Sequence, residues 1–252
     1  VADAQRQLER IPLRITRVSV EEEGRVGREL ANQIPFAASE DDPAAQSRIA
    51  YLNEVGKRLA VNLERPGINY RFHYVPSAEF VNAFALPGGQ IFVGEGLLQL
   101  FETEDELTAV LGHEIAHVDR RHCIERFQYE LASRKLGLEG FYRLGSIPVR
   151  IFQQGYSKEQ ELDADRTGLR LAVEAGYSPA GALAVMEKFS RLDRDEDKPD
   201  SPLQEMTAIP LQSLKEYFRS HPPPRDRIAA MKREIAAHGW DVNRAQLPLP
   251  AN

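Results

Sequence analysis

The sequence is poor in the residues that mark several common classes of protein. Its 252 residues include one cysteine, Cys123, which excludes an internal disulfide framework and a cysteine-based zinc finger. No stretch approaches the roughly 18 to 20 apolar residues that a membrane-spanning helix needs, and the mean hydropathy is -0.43. Lysine and arginine form no block and the net charge is -6 at pH 7, so nucleic acid is not expected as a partner.

The composition that is present is that of an ordinary globular protein. Apolar residues make up 42% of the sequence and charged residues 28%. The length suits one domain with a buried core. We expect a single domain of the α+β class, mostly helical with a small sheet. Residues 1–65 would form N-terminal helices, residues 66–240 the core and residues 241–252 a tail.

Hydrophobic spacing and end signals predict the local structure. Thr103 and Glu106 have the form of a capping box, which predicts a helix that starts there and runs past Cys123. An antiparallel hairpin is predicted around Pro-Gly-Gly, with strands over 80–86 and 90–93, and a further strand over 70–75. Further helices are predicted over 3–35, 42–63, 158–175, 179–192, 211–219 and 225–237. Two long loops, 136–157 and 193–210, flank the motifs described next and are candidate lids.

The strongest chemical signal is the run Gly-His-Glu-Ile-Ala-His-Val at 112–118. Residues four apart on a helix lie on one face, about 6 Å apart along the axis, so His113 and His117 can bind one zinc ion. Glu114 can then face a zinc-bound water without binding the metal. Because the surrounding helix is apolar, a merely solvated polar face is the weaker interpretation.

A third ligand is needed, and the sequence offers two regions for it. Cys123 is one candidate, but a continuous helix would place it about 9 Å beyond His117 and pointing away, so a buried, inert cysteine is favoured. His122 would likewise lie on the wrong face. Downstream, Glu161 can complete a His, His, Glu site, and Asp165, one turn later, can accept the second N–H of a ligand histidine. The neighbouring acids Glu159 and Asp163 are expected on a solvated face.

Four motifs together resemble the gluzincin family of zinc metallopeptidases that includes HtpX, the Ste-type CAAX prenyl proteases, Oma-type proteases and BepA-like envelope proteins. The first two are 113–117 and Glu161–Asp165. The third is the strand and turn 82–89, and the fourth is Ser-His-Pro-Pro at 220–223 with Arg227. The resemblance covers roughly residues 70–235 and implies a zincin-like fold. The membrane spans of HtpX and the repeat domain of BepA have no counterpart here, which favours the soluble branch.

The resemblance also implies roles for residues outside the zinc motif. His221 would donate a hydrogen bond to the developing oxyanion, with support from Arg227. His221 could instead bind zinc in a resting state, or be a surface histidine. Asn82, Ala83 and Phe84 would belong to an edge strand that binds an extended peptide, the alternative being sheet core alone. His73 and His238 are expected to be structural.

The leading functional prediction is a zinc endopeptidase that uses one Zn²⁺ ion per chain and Glu114 as general base on protein or peptide substrates. The resemblance implies a role in protein quality control in the periplasm or cell envelope, rather than the cytoplasm, with a signal or lipoprotein segment removed. One alternative is a chaperone-like or latent metal-binding module with little proteolysis. Another is an aminopeptidase, for which no amine-binding acid can be placed.

Overall fold

The computed structural model describes residues 18–39, 41–134, 149–153, 155–195, 221 and 225–250. The predicted helix 211–219, residues 3–17 of the first predicted helix and most of the two predicted loops lie outside this part. The helices are α1 Val20–Ala31, α2 Gln46–Leu59, α3 Glu95–Leu98, α4 Glu104–Asp119, α5 His122–Ser133, α6 Lys158–Glu174, α7 Pro179–Asp195 and α8 Arg225–His238. The strands are β1 Arg71–Val75, β2 Ala83–Leu86 and β3 Gln90–Gly94, and short 3₁₀ turns cover Pro87–Gly89 and Val149–Gln153. The described residues therefore have the predicted α+β character.

The two N-terminal helices are shorter than predicted. α1 begins after Ser19, whose side chain accepts the N–H of Glu22, and it ends at Ala31 rather than at residue 35. α2 begins at Gln46, although its predicted range starts at residue 42, because Asp42 closes a turn before the helix. Its carboxylate accepts the N–H of Ala44 at 3.0 Å. Local side-chain hydrogen bonds of aspartate compete with helix formation in this way.

The three strands form one mixed sheet in the order β1-β3-β2. β2 and β3 are antiparallel, as predicted for the hairpin, with Phe84 opposite Phe92. β1 runs parallel to β3. The turn between β2 and β3 needs left-handed backbone at Gly88 and Gly89, with φ of 70° and 85°, which glycine adopts without strain. β2 is thus an edge strand of this sheet.

α4 starts at the predicted residue, but its capping differs from the prediction. The side chain of Thr103 accepts the N–H of Glu106 at 3.2 Å. The Glu106 carboxylate accepts the N–H of Glu102 at 2.6 Å and does not complete the capping box. The predicted tail also contacts this end, because the Leu247 carbonyl accepts the N–H of Glu104 at 2.8 Å.

The prediction that α4 continues past Cys123 is wrong. α4 ends at Asp119, and Arg121 has a left-handed backbone with φ of 68°, which no other non-glycine residue in the described part of the chain shares. Tertiary contacts hold this break. Asp119 accepts the backbone N–H of Arg65 at 2.8 Å, and Arg120 pairs with Asp163 at 2.8 Å. α5 then starts at His122 in a new direction.

α6 agrees with its prediction. The side chain of Ser157 accepts the N–H of Gln160, and the Gln160 side chain accepts the N–H of Ser157, which forms a complete capping box. Gly176 follows the helix with φ of 96°. α6 crosses α4 at Gly112 and Gly168. The helices among the described residues are too short or too polar to span a bilayer.

Candidate metal centre

Four buried side chains from separate parts of the chain meet where α4 and α6 cross. His113 and His117 come from α4, Glu161 from α6, and His221 from the segment before α8. One nitrogen or oxygen atom from each lies within 4.8 Å of the corresponding atom of every other. The structure thus brings the three predicted ligands together and adds His221 to them.

The spacing of the three predicted ligands fits a zinc ion. The Nε2 atoms of His113 and His117 are 3.0 Å apart, and each lies 3.5 Å from an oxygen of Glu161. Ligand atoms of a tetrahedral zinc, at about 2.0 to 2.1 Å from the metal, are roughly 3.3 Å apart. Two imidazoles and a carboxylate are also a donor set that zinc takes in hydrolytic enzymes. The donor atoms therefore converge as a common ion would require.

Asp165 contacts the ring of His113. Its Oδ1 lies 2.9 Å from His113 Nδ1. Arg227 donates to both oxygens of Asp165, from Nε at 2.7 Å and from Nη2 at 2.6 Å. Burial raises the pKa of Asp165, but the Arg227 charge and hydrogen bonds outweigh it and lower the pKa to about 2. The carboxylate is therefore ionised and keeps the proton of His113 on Nδ1, with Nε2 towards the cluster.

Burial and hydrogen bonding act in opposite directions on the ligand side chains. Burial lowers the pKa of His113, yet the acceptors Asp165 and Glu161 raise it to about 9. For His117 the effect of burial exceeds that of the hydrogen bond to Glu161, and its pKa lies well below the usual value. Burial raises the pKa of Glu161, but the neighbouring histidines, His221 first, hold it well below the usual range. A metal ion at this position would require the neutral form of His113.

The ring of His117 contacts His122, a residue that was expected to point away from the site. His122 Nδ1 lies 3.0 Å from His117 Nδ1, because the break at Arg121 turns α5 back towards the site. Asp163, expected on a solvated face, is half-buried and lies 3.6 Å from His122 Nε2. No glycine stands at residues 119–122, where it would have indicated a break in the helix.

Tyr156 is a further site neighbour that the sequence analysis missed. Its ring stacks on His117 with centroids 3.9 Å apart. Its hydroxyl lies 3.2 Å from the sulfur of Cys123. Burial raises the pKa of Cys123 to about 12, so the residue is a buried protonated thiol, in agreement with the prediction.

Glu114 lies beside the cluster and faces His221, one of its members. Glu114 Oε1 is 3.5 Å from His221 Nε2, and His221 Nδ1 is 3.3 Å from Glu161. Burial raises the pKa of Glu114, with His221 and His113 opposing the shift. Since His221 is 3% exposed, the surface-histidine alternative is wrong. Its two active roles stay predictions.

Arg227 contacts the carboxylates of both Glu161 and Asp165. Besides its two bonds to Asp165, its Nη1 is 3.3 Å from Glu161. These contacts give both buried carboxylates a cationic partner, and an unpaired carboxylate would be costly in a low-dielectric interior. The predicted support of an oxyanion by Arg227 stays a prediction.

The three residues predicted to bind substrate are all buried in the sheet region. The Asn82 carbonyl accepts the N–H of Gly94 at 3.0 Å, and Phe84 stacks on Phe92 with centroids 4.9 Å apart. Ala83 is fully buried. His73 continues the stack on Phe92 at 4.4 Å, which agrees with a structural role. Substrate binding by Asn82, Ala83 and Phe84 stays a prediction.

Several known proteins are similar to this chain in amino-acid sequence. The chain is 32% identical over 158 residues to mitochondrial metalloendopeptidase OMA1 of Arabidopsis thaliana, covering 61% of this chain and 29% of that protein. It is 26% identical over 219 residues to the beta-barrel assembly-enhancing protease of Yersinia pestis, and the match covers 77% of this chain and 44% of that protein. It is 26% identical over 208 residues to metalloprotease LoiP of Escherichia coli K12, and the match covers 78% of this chain and 74% of that protein. The chain thus spans less than half the length of the first two relatives.

A family model supports the same assignment from a longer match. The model of peptidase family M48 matches residues 46–235, which include α2, the sheet, α4 and all four residues of the metal cluster. The matched range takes in both helices that supply the converging side chains. The chain belongs to peptidase family M48.

Proposed function

We propose that this chain is a zinc-dependent endopeptidase that hydrolyses peptide bonds in protein substrates. The observation that carries the proposal is the convergence of His113, His117 and Glu161 at separations of 3.0 to 3.5 Å beside the buried carboxylate of Glu114. Membership of family M48 supports it.

His113, His117 and Glu161 would hold the metal. Zinc held by these residues would supply Lewis-acid activation of a peptide carbonyl and of a water molecule. Glu114 would take the proton from that water on a carboxylate oxygen and deliver it to the leaving amine nitrogen. Burial raises the pKa of Glu114, which makes its carboxylate a stronger proton acceptor and so supports this role.

His221 would complete the reaction site. As a donor, its imidazole would hydrogen-bond the developing oxyanion, and the 3.5 Å from its Nε2 to Glu114 supports a position near the reacting carbonyl. As a resting-state ligand it would occupy the fourth position, which its place in the four-residue cluster supports. Arg227 would act with it by holding Glu161 and Asp165 in place.

The substrate would be an extended protein segment. Among the described strands β2 pairs with β3 alone, so a peptide could add along its other side near Asn82, Ala83 and Phe84 through main-chain hydrogen bonds. Such recognition depends little on side chains and favours unfolded segments. Two matched relatives are named as LoiP and the beta-barrel assembly-enhancing protease, which supports a periplasmic or envelope role in protein quality control.

Cleavage and metal content measured on matched variants test this function. We expect wild-type protein loaded with zinc to cleave casein, and Glu114→Gln to bind zinc without cleaving. Glu161→Gln would lose both zinc and activity. Glu159→Gln, an exposed acid two residues earlier on α6, is the control and would keep both. Full activity of Glu114→Gln, or full zinc content of Glu161→Gln, would contradict the proposal.

A latent metal-binding module is the second candidate, and burial favours it. Glu114 is 1% exposed and His117 is fully buried, so a substrate carbonyl would reach them only after neighbouring segments move. A zinc-loaded wild-type protein that cleaves no substrate in a broad panel of unfolded proteins and peptides would select this candidate. Zinc-dependent cleavage that Glu114→Gln abolishes would exclude it.

A further inference from the structure

We propose that His122 is a positioning residue that fixes the metal-binding tautomer of His117. The inference rests on the proposed zinc site and extends it by one layer of contacts. His122 would accept a hydrogen bond from the ring nitrogen of His117 that faces away from the metal. The two histidines and Asp163 would then act as one unit.

The orientation of His117 sets the first step. Its Nε2 points into the cluster, 3.0 Å from His113 Nε2 and 3.5 Å from Glu161. A neutral imidazole that binds a metal through one nitrogen carries its proton on the other. His117 must therefore carry its proton on Nδ1, and this N–H needs an acceptor because the residue is fully buried.

His122 supplies that acceptor. Its Nδ1 lies 3.0 Å from His117 Nδ1, within hydrogen-bond distance. Two ring nitrogens at this distance form a bond only if one is protonated and the other is not. The proton of His122 then lies on Nε2, which faces the Asp163 carboxylate at 3.6 Å. Arg120 holds Asp163 by a bond of 2.8 Å from Nε.

The backbone break makes this contact possible. On a continuous helix, residues five apart differ by about 140° in direction, so His122 would point away from His117. The left-handed conformation of Arg121 removes this difference. Backbone held in a rarely populated conformation beside a buried polar cluster suggests a functional constraint.

The two proposed histidine ligands therefore have different supports. The Nδ1 of His113 faces the ionised carboxylate of Asp165 at 2.9 Å. The Nδ1 of His117 faces a second imidazole at 3.0 Å. Removing such outer partners commonly weakens metal affinity 10- to 100-fold, because the ligand loses its tautomer preference and ring orientation. Replacement of His122 should fall in that range.

Zinc affinity of the full chain, measured by chelator competition, tests the inference. His122→Leu removes the acceptor, and we expect 10- to 100-fold weaker zinc binding. His122→Asn places an amide oxygen near the position of Nδ1 and should recover most of the loss, whereas His122→Gln, which reaches the position of Nε2, should not. His238→Leu, at a histidine that is half-exposed, is the matched control and should bind zinc like wild type.

The outcomes separate the inference from the proposed function. If wild-type protein binds no zinc, both fall. If wild type binds zinc and His122→Leu binds it equally well, only the role of His122 is overturned. The same holds if His122→Asn and His122→Leu bind zinc equally weakly. Should the variants fail to fold, long-range nitrogen-proton NMR on the zinc-loaded wild type decides. We expect His117 protonated on Nδ1 and His122 on Nε2, and a His122 proton on Nδ1 would overturn the inference.

Discussion

Gly168 of α6 lies directly against the backbone of Gly112 in α4. A Cβ atom on Gly168 would be 2.6 Å from the carbonyl carbon of Gly112 and 2.6 Å from the backbone nitrogen of His113. Side chains normally keep packed helices 8–10 Å apart, and a pair of glycines removes that spacer. This close crossing allows Glu161 and Asp165 to reach the two imidazoles of α4.

We therefore expect Gly168→Ala to push α4 and α6 apart. The clash is with backbone, which cannot rotate away, so the variant should lose about 1 to 3 kcal/mol of unfolding free energy. Zinc affinity should fall with it because the ligand separations widen. Urea unfolding and chelator competition measure the two effects.

Gly24→Ala is the control for this prediction. Gly24 lies in α1, and the nearest atom to an added Cβ is the flexible end of Arg28 at 3.4 Å. Alanine there should stabilise the protein by about 0.5 to 1 kcal/mol through helix propensity. Equal stability of Gly168→Ala and wild type would contradict the close crossing.

The break at Arg121 leads to a second prediction. An ordinary residue in left-handed backbone costs roughly 1 to 2 kcal/mol, and glycine avoids that cost but gains freedom in the unfolded chain. Arg121→Gly should therefore equal or slightly exceed the wild type in unfolding free energy. Arg121→Val should be at least about 1 kcal/mol less stable, because a β-branched residue tolerates this conformation poorly. Greater stability of the valine variant in urea unfolding would argue against the break.

The capping residues and the zinc motif made much of this molecule predictable from sequence. Thr103 and Ser157 mark the starts of α4 and α6 because their hydroxyls satisfy free N–H groups at a helix end. His113 and His117 follow from helical spacing alone. Such signals act within a few residues, which is why the sequence carries them.

Features set by distant contacts could not be predicted in this way. The left-handed Arg121 has no glycine to announce it, since ion pairs and hydrogen bonds from other segments hold the break. The position of His122 depends on that break and was therefore predicted wrongly. The parallel pairing of β1 with β3 joins strands between which β2 lies in the sequence, and no local pattern encodes it.

Asp165 should make stability depend on pH at the acid end. Its pKa falls from 3.8 to about 2 on folding, chiefly because the Arg227 charge and hydrogen bonds overcome burial. A lowered folded pKa stabilises the protein above the unfolded pKa, and this contribution is lost as pH falls from about 4 to about 2. The shift corresponds to about 2 kcal/mol.

Asp165→Asn tests this dependence. In metal-free protein, urea unfolding should show the variant well below wild type at pH 6, since it leaves the buried Arg227 without its carboxylate partner. The gap should narrow as pH falls below 4. A gap that stays constant between pH 6 and pH 3 would show that Asp165 keeps an ordinary pKa in the folded protein.

Metal removal should lower the melting temperature of the wild type. A ligand that binds only the folded state stabilises it by about 2.7 kcal/mol at a free concentration 100 times its dissociation constant. Zinc added to chelator-treated wild type should therefore raise the melting temperature, and so should zinc added to Glu159→Gln, because Glu159 is exposed and outside the cluster. Glu161→Gln should show little or no rise, since an amide replaces the buried carboxylate that lies 3.5 Å from both imidazole Nε2 atoms. Scanning calorimetry with and without zinc measures all three proteins, and an equal rise in Glu161→Gln would place the stabilising ion elsewhere in the chain.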